Sequence, residues 1–245
     1  MENYPGFPGG ISGPELVKLF QKQIGEYQIR VKYSEVVSVI SKEDTYILKD
    51  SEKEFHYDYV VVASGTKPKI DDISAKLVDK DHVHHDIRKL LELKDKTIAI
   101  IGSGDAAFDQ AINLSRSNDI LIINRDNELK CLSLLSEKAL QIPRIKYLGE
   151  SNIQKIKTIY NPEGIFDHID LELSNKNKVF LLECDEIVFA IGRTPQIDFI
   201  DTGINEERLF YIGDVHNGKF RQTSIAVGEG VMAAMKINDS IVVRS

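Results

Sequence analysis

Residues 97–125 read TIAIIGSGDAAFDQAINLSRSNDILIINR, and the order of residue types in this stretch decides the fold. The apolar run 97–101 predicts a buried strand, the residues up to about Arg116 predict a helix, and ILIIN predicts a second strand. A glycine turn joins the first strand to the helix and consists of Gly102, Ser103, Gly104, Asp105, Ala106 and Ala107.

This glycine turn has the spacing and the flanking elements of a dinucleotide-binding site. Gly102 permits the tight turn, Gly104 lets a pyrophosphate approach the backbone, and Ala107 keeps the helix close to the strand. The N–H groups at the N-terminus of the helix then face the phosphates. We therefore predict a dinucleotide site here, the alternative being a glycine turn that serves packing alone.

The end of the second strand bears on which nucleotide is bound. The strand ends at Asn124 and Arg125, where an NAD site usually has a carboxylate for the ribose 2′-hydroxyl. An arginine nearby suits a 2′-phosphate instead. The arginine therefore favours NADPH. NADH stays open, because Asp126 beside Arg125 would repel the 2′-phosphate of NADPH.

Composition and charge exclude several classes of protein. The chain has 245 residues, 42% hydrophobic and 28% charged, which is ordinary for one large or two modest globular domains. Its net charge of −7 argues against nucleic acid or an anionic membrane as partner. The apolar runs are far shorter than the roughly 20 residues that span a bilayer. Two cysteines, Cys131 and Cys184, form neither a disulfide framework nor a zinc pattern, so we predict a cytoplasmic protein.

The remaining sequence predicts more α/β elements. Apolar spacing predicts a helix over 13–27, strands over 29–62, antiparallel strands over 153–182, and a last helix from about Thr223. YVVVASG and IVFAIG predict buried strands that each end in glycine. Residues 66–96 are polar, include the charged helix-like stretch DIRKLLELKDK, and predict a connection between domains.

Five stretches together resemble one protein family. ENYPGFPGGISGPEL, VVVASGTKP, IAIIGSGDAA, VFAIGRTP and YIGDVHNGKFRQTSIAVGEGVMAA occur in this order and span nearly the whole chain. They resemble the low-molecular-weight thioredoxin reductases and the thioredoxin-reductase-like ferredoxin–NADP reductases. The resemblance implies an α/β fold with two Rossmann-like, three-layer nucleotide-binding domains. An FAD-type domain would comprise residues 1–80 and 197–245, and an NAD(P)H-binding domain, residues 81–196, would be inserted into it.

The resemblance also implies which residues contact the cofactors. Asp214 matches an aspartate that holds the flavin ribityl chain, and Arg221 and Gln222 match a pair at the isoalloxazine ring. The last helix begins just after this pair, so its positive end would stabilise reduced flavin. Further matches to flavin-binding positions are Asn3, Ala63, Ser64, Gly65, Gly213 and Ala226. Gly192 and Arg193 match NAD(P) contacts. Asp214 as a surface turn residue, and Gln222 as an ordinary residue of a helix N-terminus, are the alternatives.

One departure from the family concerns the start of the chain. The family begins with a strand–GxGxxG–helix that holds the FAD pyrophosphate, and MENYPG resembles the segment that follows it. A βα segment and a strand, roughly 30 residues or more, would belong in front. Without them, buried backbone groups lose partners at about 1–3 kcal/mol each, against a domain stability of about 5–15 kcal/mol. We therefore expect that something fills the gap, that the domain rearranges, or that the true start lies upstream. FAD binding by this chain alone is expected to be weak or absent.

A second departure concerns thiol chemistry. Counting back from Gly102, the Cys-x-x-Cys of the family falls on His85-Asp86-Ile87-Arg88, where no disulfide can form. We predict that Cys131, on the helix after the second strand, and Cys184 are structural. The ferredoxin-reductase branch also lacks the dithiol and is the better analogue. His82, His84 and His85 form a histidine cluster, for which we predict a solvated linker rather than a metal site.

These observations favour one function and leave two others open. The favoured function is an NAD(P)H-dependent FAD oxidoreductase without a redox-active dithiol, which passes electrons to a small-molecule or redox-protein acceptor. The alternatives are a non-catalytic NAD(P)-binding paralogue and a thioredoxin-disulfide reductase. No catalytic acid or base can be identified from the sequence. The resemblance implies a homodimer, and no membrane or nucleic-acid partner is expected.

Overall fold

A computed structural model describes residues 3–70, 81–176 and 178–244. The α-helices are α1 (Gly13–Glu26), α2 (Asp105–Leu114), α3 (Ser133–Leu140) and α4 (Thr223–Arg244). The strands are β1 (Ser38–Lys42), β2 (Thr45–Lys49), β3 (Glu54–Tyr57), β4 (Val60–Val62), β5 (Thr66–Pro68), β6 (Val83–His84), β7 (Thr97–Ile101), β8 (Asp119–Ile123), β9 (Ile145–Leu148), β10 (Asn152–Tyr160), β11 (Phe166–Asn175), β12 (Lys178–Cys184), β13 (Glu186–Phe189), β14 (Arg193–Pro195) and β15 (Leu209–Tyr211). Short 3₁₀ helices span Arg88–Glu92 and Gly213–Val215.

The chain forms two compact units. The split unit comprises Met1–Lys67 and Thr194–Ser245, and the inserted unit comprises Pro68–Arg193. The cofactor domains predicted above, with boundaries at 80/81 and 196/197, remain a prediction, and residues 71–80 lie outside the described residues.

The inserted unit has three layers around a five-stranded parallel sheet of order β6-β13-β7-β8-β9. Ile98, Ile100 and Phe108 are fully buried on the face covered by α2 and α3. Ala99 and Leu171 are fully buried on the other face, where the antiparallel sheet β10-β11-β12 packs. Because successive residues of a strand point to opposite faces, the uninterrupted apolar run of β7 fills both cores at once.

The split unit is built from two small sheets. The antiparallel sheet β1-β2-β3 and the parallel pair β4-β15 share a core of five buried residues. They are Tyr46, Val60, Val62, Leu209 and Val215. Helix α1 begins with a capping box, in which Ser12 and Glu15 satisfy each other's backbone N–H groups.

Strand β4 pairs along one edge alone within the described residues, with β15. The residues of β4 also line a groove of about 450 Å³. The apolar walls of the groove include Val36, Val39, Val61 and Phe199. Val61 is 39% exposed, which leaves a valine strand with an open edge on the surface of this unit.

Two sequence-based expectations about local structure were wrong. Residues 29–37 alternate between apolar and polar but contain no strand, and Ile29 and Val31 are more than half exposed. Alternation yields a strand only when a neighbour supplies hydrogen bonds, and this segment has no strand partner among the described residues. The charged helix-like stretch contains only the 3₁₀ helix Arg88–Glu92, of which Leu90 alone is buried. None of the helices in the described ranges is long and apolar enough to cross a bilayer.

Candidate cofactor sites

The glycine turn after β7 forms a backbone cradle. Gly102 has φ +138°, and a Cβ there would lie 2.9 Å from the carbonyl carbon of Ala190 and closer still to its oxygen. Only glycine fits this position, because real Cβ contacts essentially never fall below 3.0 Å. Gly104 caps α2 with φ −89°, and no atom lies within 4 Å of a Cβ built there. The backbone at Gly104 is therefore open to a ligand.

The topology of the sheet puts this cradle at a crevice. In the strand order, β7 lies between β13 and β8, because the chain runs outward from β7 through β8 to β9 and later returns to add β13 on the other side of β7. Ligands of open parallel sheets bind at the carboxyl ends of the strands at such a switch point. Gly102 follows β7 and Gly192, with φ +112°, follows β13, so both lie at this edge.

The turn residues differ in exposure, and this difference defines what each can contact. Ser103 and Ala107 are buried, and Ala107 packs in the core beneath α2. Asp105 and Ala106 are exposed at the start of α2. The Asp105 carboxylate accepts a hydrogen bond from the N–H of Leu132 at 2.9 Å, so it fixes the following loop. The first N–H groups of a helix have no partner within the helix, which suits a phosphate.

The loop after β8 holds four charged residues next to this turn, Arg125, Asp126, Glu128 and Lys130. Arg125 Nε and Lys130 Nζ lie 3.6 and 3.5 Å from Asp126 Oδ2, so two cations surround this one carboxylate. The N–H of Lys130 donates to the carbonyl of Ser103 at 2.9 Å, which joins the loop to the glycine turn. Lys130 was not among the predicted site residues, although its position as the second basic residue of this loop is visible in the sequence.

Asn124 has a different role from its charged neighbours. It is 5% exposed, and its Nδ2 lies within hydrogen-bonding distance of the carbonyls of Asp126 and Glu128 and of the Tyr147 hydroxyl. Because its amide is already engaged, Asn124 shapes the loop that presents Arg125. The residues at this edge fit a dinucleotide through the backbone of the turn and the charges of the loop.

The residues that the resemblance implies for a flavin lie in the split unit. Asn3 Nδ2 donates to Gln222 Oε1 at 2.6 Å, which joins the start of the chain to the start of α4. Ser64 Oγ donates to the carbonyl of Gln196 at 2.6 Å, and Gly65 has φ +68°. Ala63 is exposed beside them and Arg221 is half-buried before α4.

Asp214 lies in the 3₁₀ turn after β15. Gly213, with φ +71°, packs against α4, since a Cβ on it would meet the Ala226 methyl at 3.3 Å. The side chain of Asp214 is half-buried and has no hydrogen bond to any described residue. Neither glycine after a parallel strand of this unit leads into an α-helix, since Gly65 leads into β5 and Gly213 into the 3₁₀ turn. The split unit therefore fits the ribityl and ring portion of a flavin better than its phosphates.

The histidine cluster is not a solvated linker, contrary to expectation. Glu186 is 7% exposed, and its two oxygens lie 3.0 Å from His82 Nδ1 and 2.7 Å from His84 Nε2. These contacts fasten the edge strand β6 to β13. The buried Nδ1 of His85 has no hydrogen-bond partner among the described residues, and Arg88 is exposed and paired with Asp86.

The two cysteines lie in different cores of the inserted unit. Cys131 packs with the helical face of the parallel sheet, and Cys184 with the opposite face. Burial raises the pKa of the Cys184 thiol to about 12, so this sulfur remains a thiol. The sequence predicted Cys131 on a helix, but this residue lies in the loop before α3. Both cysteines are free thiols in the structure.

One group of possible metal ligands occurs in the part of the chain that the structure describes. His168, Asp170 and Glu183 bring ligand atoms within 4.8 Å of one another on the polar side of β11 and β12. Glu183 is exposed, and groups of this kind are common without a metal ion.

Comparison with known proteins gives consistent matches. The family described as pyridine nucleotide-disulphide oxidoreductase matches residues 1–230. A thioredoxin reductase of Chlamydia pneumoniae is 25% identical over 261 residues, covering 96% of this chain and 82% of the relative.

Two solved structures share the fold. Thioredoxin reductase from Lactococcus lactis has a TM-score of 0.84 at 22% identity, covering 99% of this chain and 85% of that one. Thioredoxin reductase from T. acidophilum has a TM-score of 0.81 at 24% identity, covering 98% and 84%. At these identities the likeness establishes the fold, an α/β fold with Rossmann-like domains.

Proposed function

Since the chain belongs to the pyridine nucleotide-disulphide oxidoreductase family, in agreement with the resemblance seen in its sequence, we propose that it is an NAD(P)H-dependent flavin oxidoreductase that works without a redox-active dithiol. The family is one of oxidoreductases, and this chain is thioredoxin-reductase-like in sequence and fold. The cofactors, the acceptor and the absence of dithiol chemistry are the new parts of the proposal.

The observation that carries the proposal is the pair of glycines at the carboxyl end of β7. Gly102 is required by the close approach of Ala190, and Gly104 leaves its surroundings open. A turn of this kind lets phosphate oxygens reach backbone N–H groups at the N-terminus of α2. We assign this turn to the pyrophosphate of NAD(P)H, with Gly192 and Arg193 on the nicotinamide side of the crevice.

Preference for NADPH follows from the loop after β8. Arg125 and Lys130 provide two cations around one carboxylate, Asp126. A 2′-phosphate can take the place of Asp126 as the partner of Arg125, or add to it, because the side chains of Arg125 and Lys130 are both more than half exposed. Lys130 thus offsets the repulsion that Asp126 alone would exert.

The split unit would hold the flavin through its own polar groups. Asp214 would accept hydrogen bonds from ribityl hydroxyls, and Gln222, held by Asn3, would face the ring. The N-terminus of α4 would place partial positive charge near the pyrimidine oxygen. A nicotinamide and a flavin bound in these units would supply hydride donation and acceptance, respectively.

A thiol-independent acceptor is part of the proposal because of where the cysteines lie. Cys131 and Cys184 occupy opposite cores, and His85 and Arg88 stand at the positions matched to the dithiol. A dye, a quinone-like compound or a redox protein can accept electrons without a protein disulfide.

A non-catalytic NAD(P)-binding role is the second candidate. It is favoured by the contrast between the two units, since the glycine turn of the inserted unit leads into a helix and those of the split unit do not. Such a protein would bind NADPH and show no turnover.

The test measures NADPH and NADH oxidation with ferricyanide or a quinone as acceptor, with and without added FAD, and in parallel with thioredoxin. Turnover with dye that needs FAD supports the proposal. Nucleotide binding without turnover supports the second candidate, and turnover restricted to thioredoxin contradicts the thiol-independent part.

Gly104→Val is the matched variant for this test. The valine side chain enters open space at the turn, because no atom lies within 4 Å of a Cβ built at Gly104. We expect a folded protein that has lost NADPH binding and dye reduction together.

A further inference from the structure

The turn Gly213–Val215 is fixed by a residue that lies outside it, on helix α4. Oε2 of Glu229 accepts the N–H of Gly213 at 2.5 Å and the Nδ2 of Asn217 at 2.7 Å. The same Nδ2 lies 3.0 Å from the carbonyl oxygen of Gly213. One carboxylate oxygen therefore joins Gly213, the first residue of the turn, to Asn217, the second residue after its end.

The contacts of Glu229 are charge-assisted. The pKa of Glu229 lies below its ordinary value because the Asn217 amide and the Gly213 N–H donate to its carboxylate. An ionised acceptor makes shorter and stronger hydrogen bonds than a neutral one. Near neutral pH the carboxylate is charged, so the interaction holds under ordinary assay conditions.

The backbone of the turn has little freedom around Asp214. Gly213 and Val215 are both buried, and Gly213 adopts φ +71° against Ala226. Asp214 itself is half-buried and makes no hydrogen bond with the described residues. The turn therefore presents an unpaired carboxylate from a backbone that its neighbours hold in place.

We propose that Glu229 is a positioning residue for the ribityl chain of a flavin, a polyhydroxylated ligand chain. By holding the backbone of the turn, Glu229 orients the Asp214 side chain toward that ligand. This inference rests on the flavin site of the proposed function. Glu229 touches the backbone of the turn and not the ligand, so its effect depends on the presence of Asp214.

The experiment titrates FAD and riboflavin into the full chain and follows flavin fluorescence. Both probes contain the ribityl chain. Because riboflavin has no phosphate, its binding reports on the region around Asp214 and does not depend on a phosphate site. We expect Glu229→Ala to weaken both probes by the same factor, about tenfold, as for loss of a charge-assisted hydrogen bond. NADPH binding, measured on the same samples, should remain unchanged.

Three variants separate positioning from a general effect on folding. Glu229→Gln should restore binding to within about threefold, because both hydrogen bonds end on one oxygen that the amide can reproduce. Asp239→Ala, an exposed acidic residue on the same helix, should change nothing. Asn217→Ala should weaken the binding of FAD and riboflavin by a smaller factor. This variant replaces Glu229→Ala in the test if Glu229→Ala does not fold.

A double-mutant cycle with Asp214→Ala gives the decisive readout. If Glu229 acts through Asp214, Glu229→Ala should have no further effect on flavin binding in the Asp214→Ala background. Additive losses would overturn the inference and leave the proposed function intact, as would full binding by Glu229→Ala. If the unaltered chain binds neither FAD nor riboflavin, the flavin site itself is wrong and the inference falls with it.

Discussion

Replacing Gly102 with alanine should destabilise the inserted unit, whereas the same change at Gly104 should not. At Gly102 the new methyl carbon would lie 2.9 Å from the carbonyl carbon of Ala190, in a backbone conformation with φ +138°. At Gly104 φ is −89° and no atom lies within 4 Å. The two glycines are two residues apart in one turn, so each is the control for the other.

The magnitude follows from two terms. A non-glycine residue held in this region of backbone conformation costs about 1–3 kcal/mol, and the displacement needed to relieve the clash costs about 1–3 kcal/mol more. Gly102→Ala should therefore lower the free energy of unfolding by about 2–6 kcal/mol, a large part of the roughly 5–15 kcal/mol available to a domain. Gly104→Ala changes only the helix cap and should cost under about 1 kcal/mol.

The assay is urea denaturation followed by circular dichroism, with hydrogen exchange of the buried amides of β7 to assign the transition to the inserted unit. A Gly102→Ala protein within 1 kcal/mol of the unaltered chain would refute the argument. So would a Gly104→Ala protein that is destabilised as strongly, because the reasoning depends on the difference between their surroundings.

Other predictions concern the nucleotide, the thiols and acid stability. Arg125→Ala should weaken NADPH by about 10- to 100-fold more than NADH, since a hydrogen bond to a charged group is worth about 1.5–3 kcal/mol, and equal losses in a binding titration would contradict the assignment. Cys131→Ser combined with Cys184→Ala should leave NAD(P)H oxidation intact, and loss of turnover in a folded double variant would show that a thiol is needed. The Lys32 ammonium, the Ser34 hydroxyl and two backbone N–H groups hold the pKa of Asp50 well below its usual range. Because the folded pKa lies below the unfolded value of about 3.9, the stabilisation is complete above that value and is lost as the pH falls through and below it. Asp50→Asn should therefore lower the melting temperature at pH 7 and remove part of the decline below about pH 4, and an unchanged acid profile would count against this.

The dinucleotide turn could be predicted from sequence because its determinants are local. Strand, Gly102, Gly104 and helix follow one another within about 20 residues, and each has a backbone reason to be there. The clash of a side chain at Gly102 with Ala190 could not be predicted, because those residues are far apart in sequence and meet only through the pairing of β7 with β13.

Side-chain contacts between residues that are distant in sequence could not be predicted. The contacts of Glu186 with His82 and His84 bridge about 100 residues, and a local reading treated the histidines as solvent-exposed. Glu229 was missed for the same reason, since its partners precede α4. The apolar alternation of residues 29–37 predicted a strand that the structure does not contain, because a local pattern cannot show whether a neighbouring strand exists.

The open edge of β4 has a consequence for the behaviour of concentrated solutions. Its three consecutive valines have no strand partner on that edge among the described residues, which makes the edge a template on which the same strand of another molecule can add. Association of this kind grows with protein concentration and ends in irregular aggregates, since nothing closes the resulting sheet. Lysine in place of Val61, which is 39% exposed, would put charge at that edge and keep the molecules apart through electrostatic repulsion.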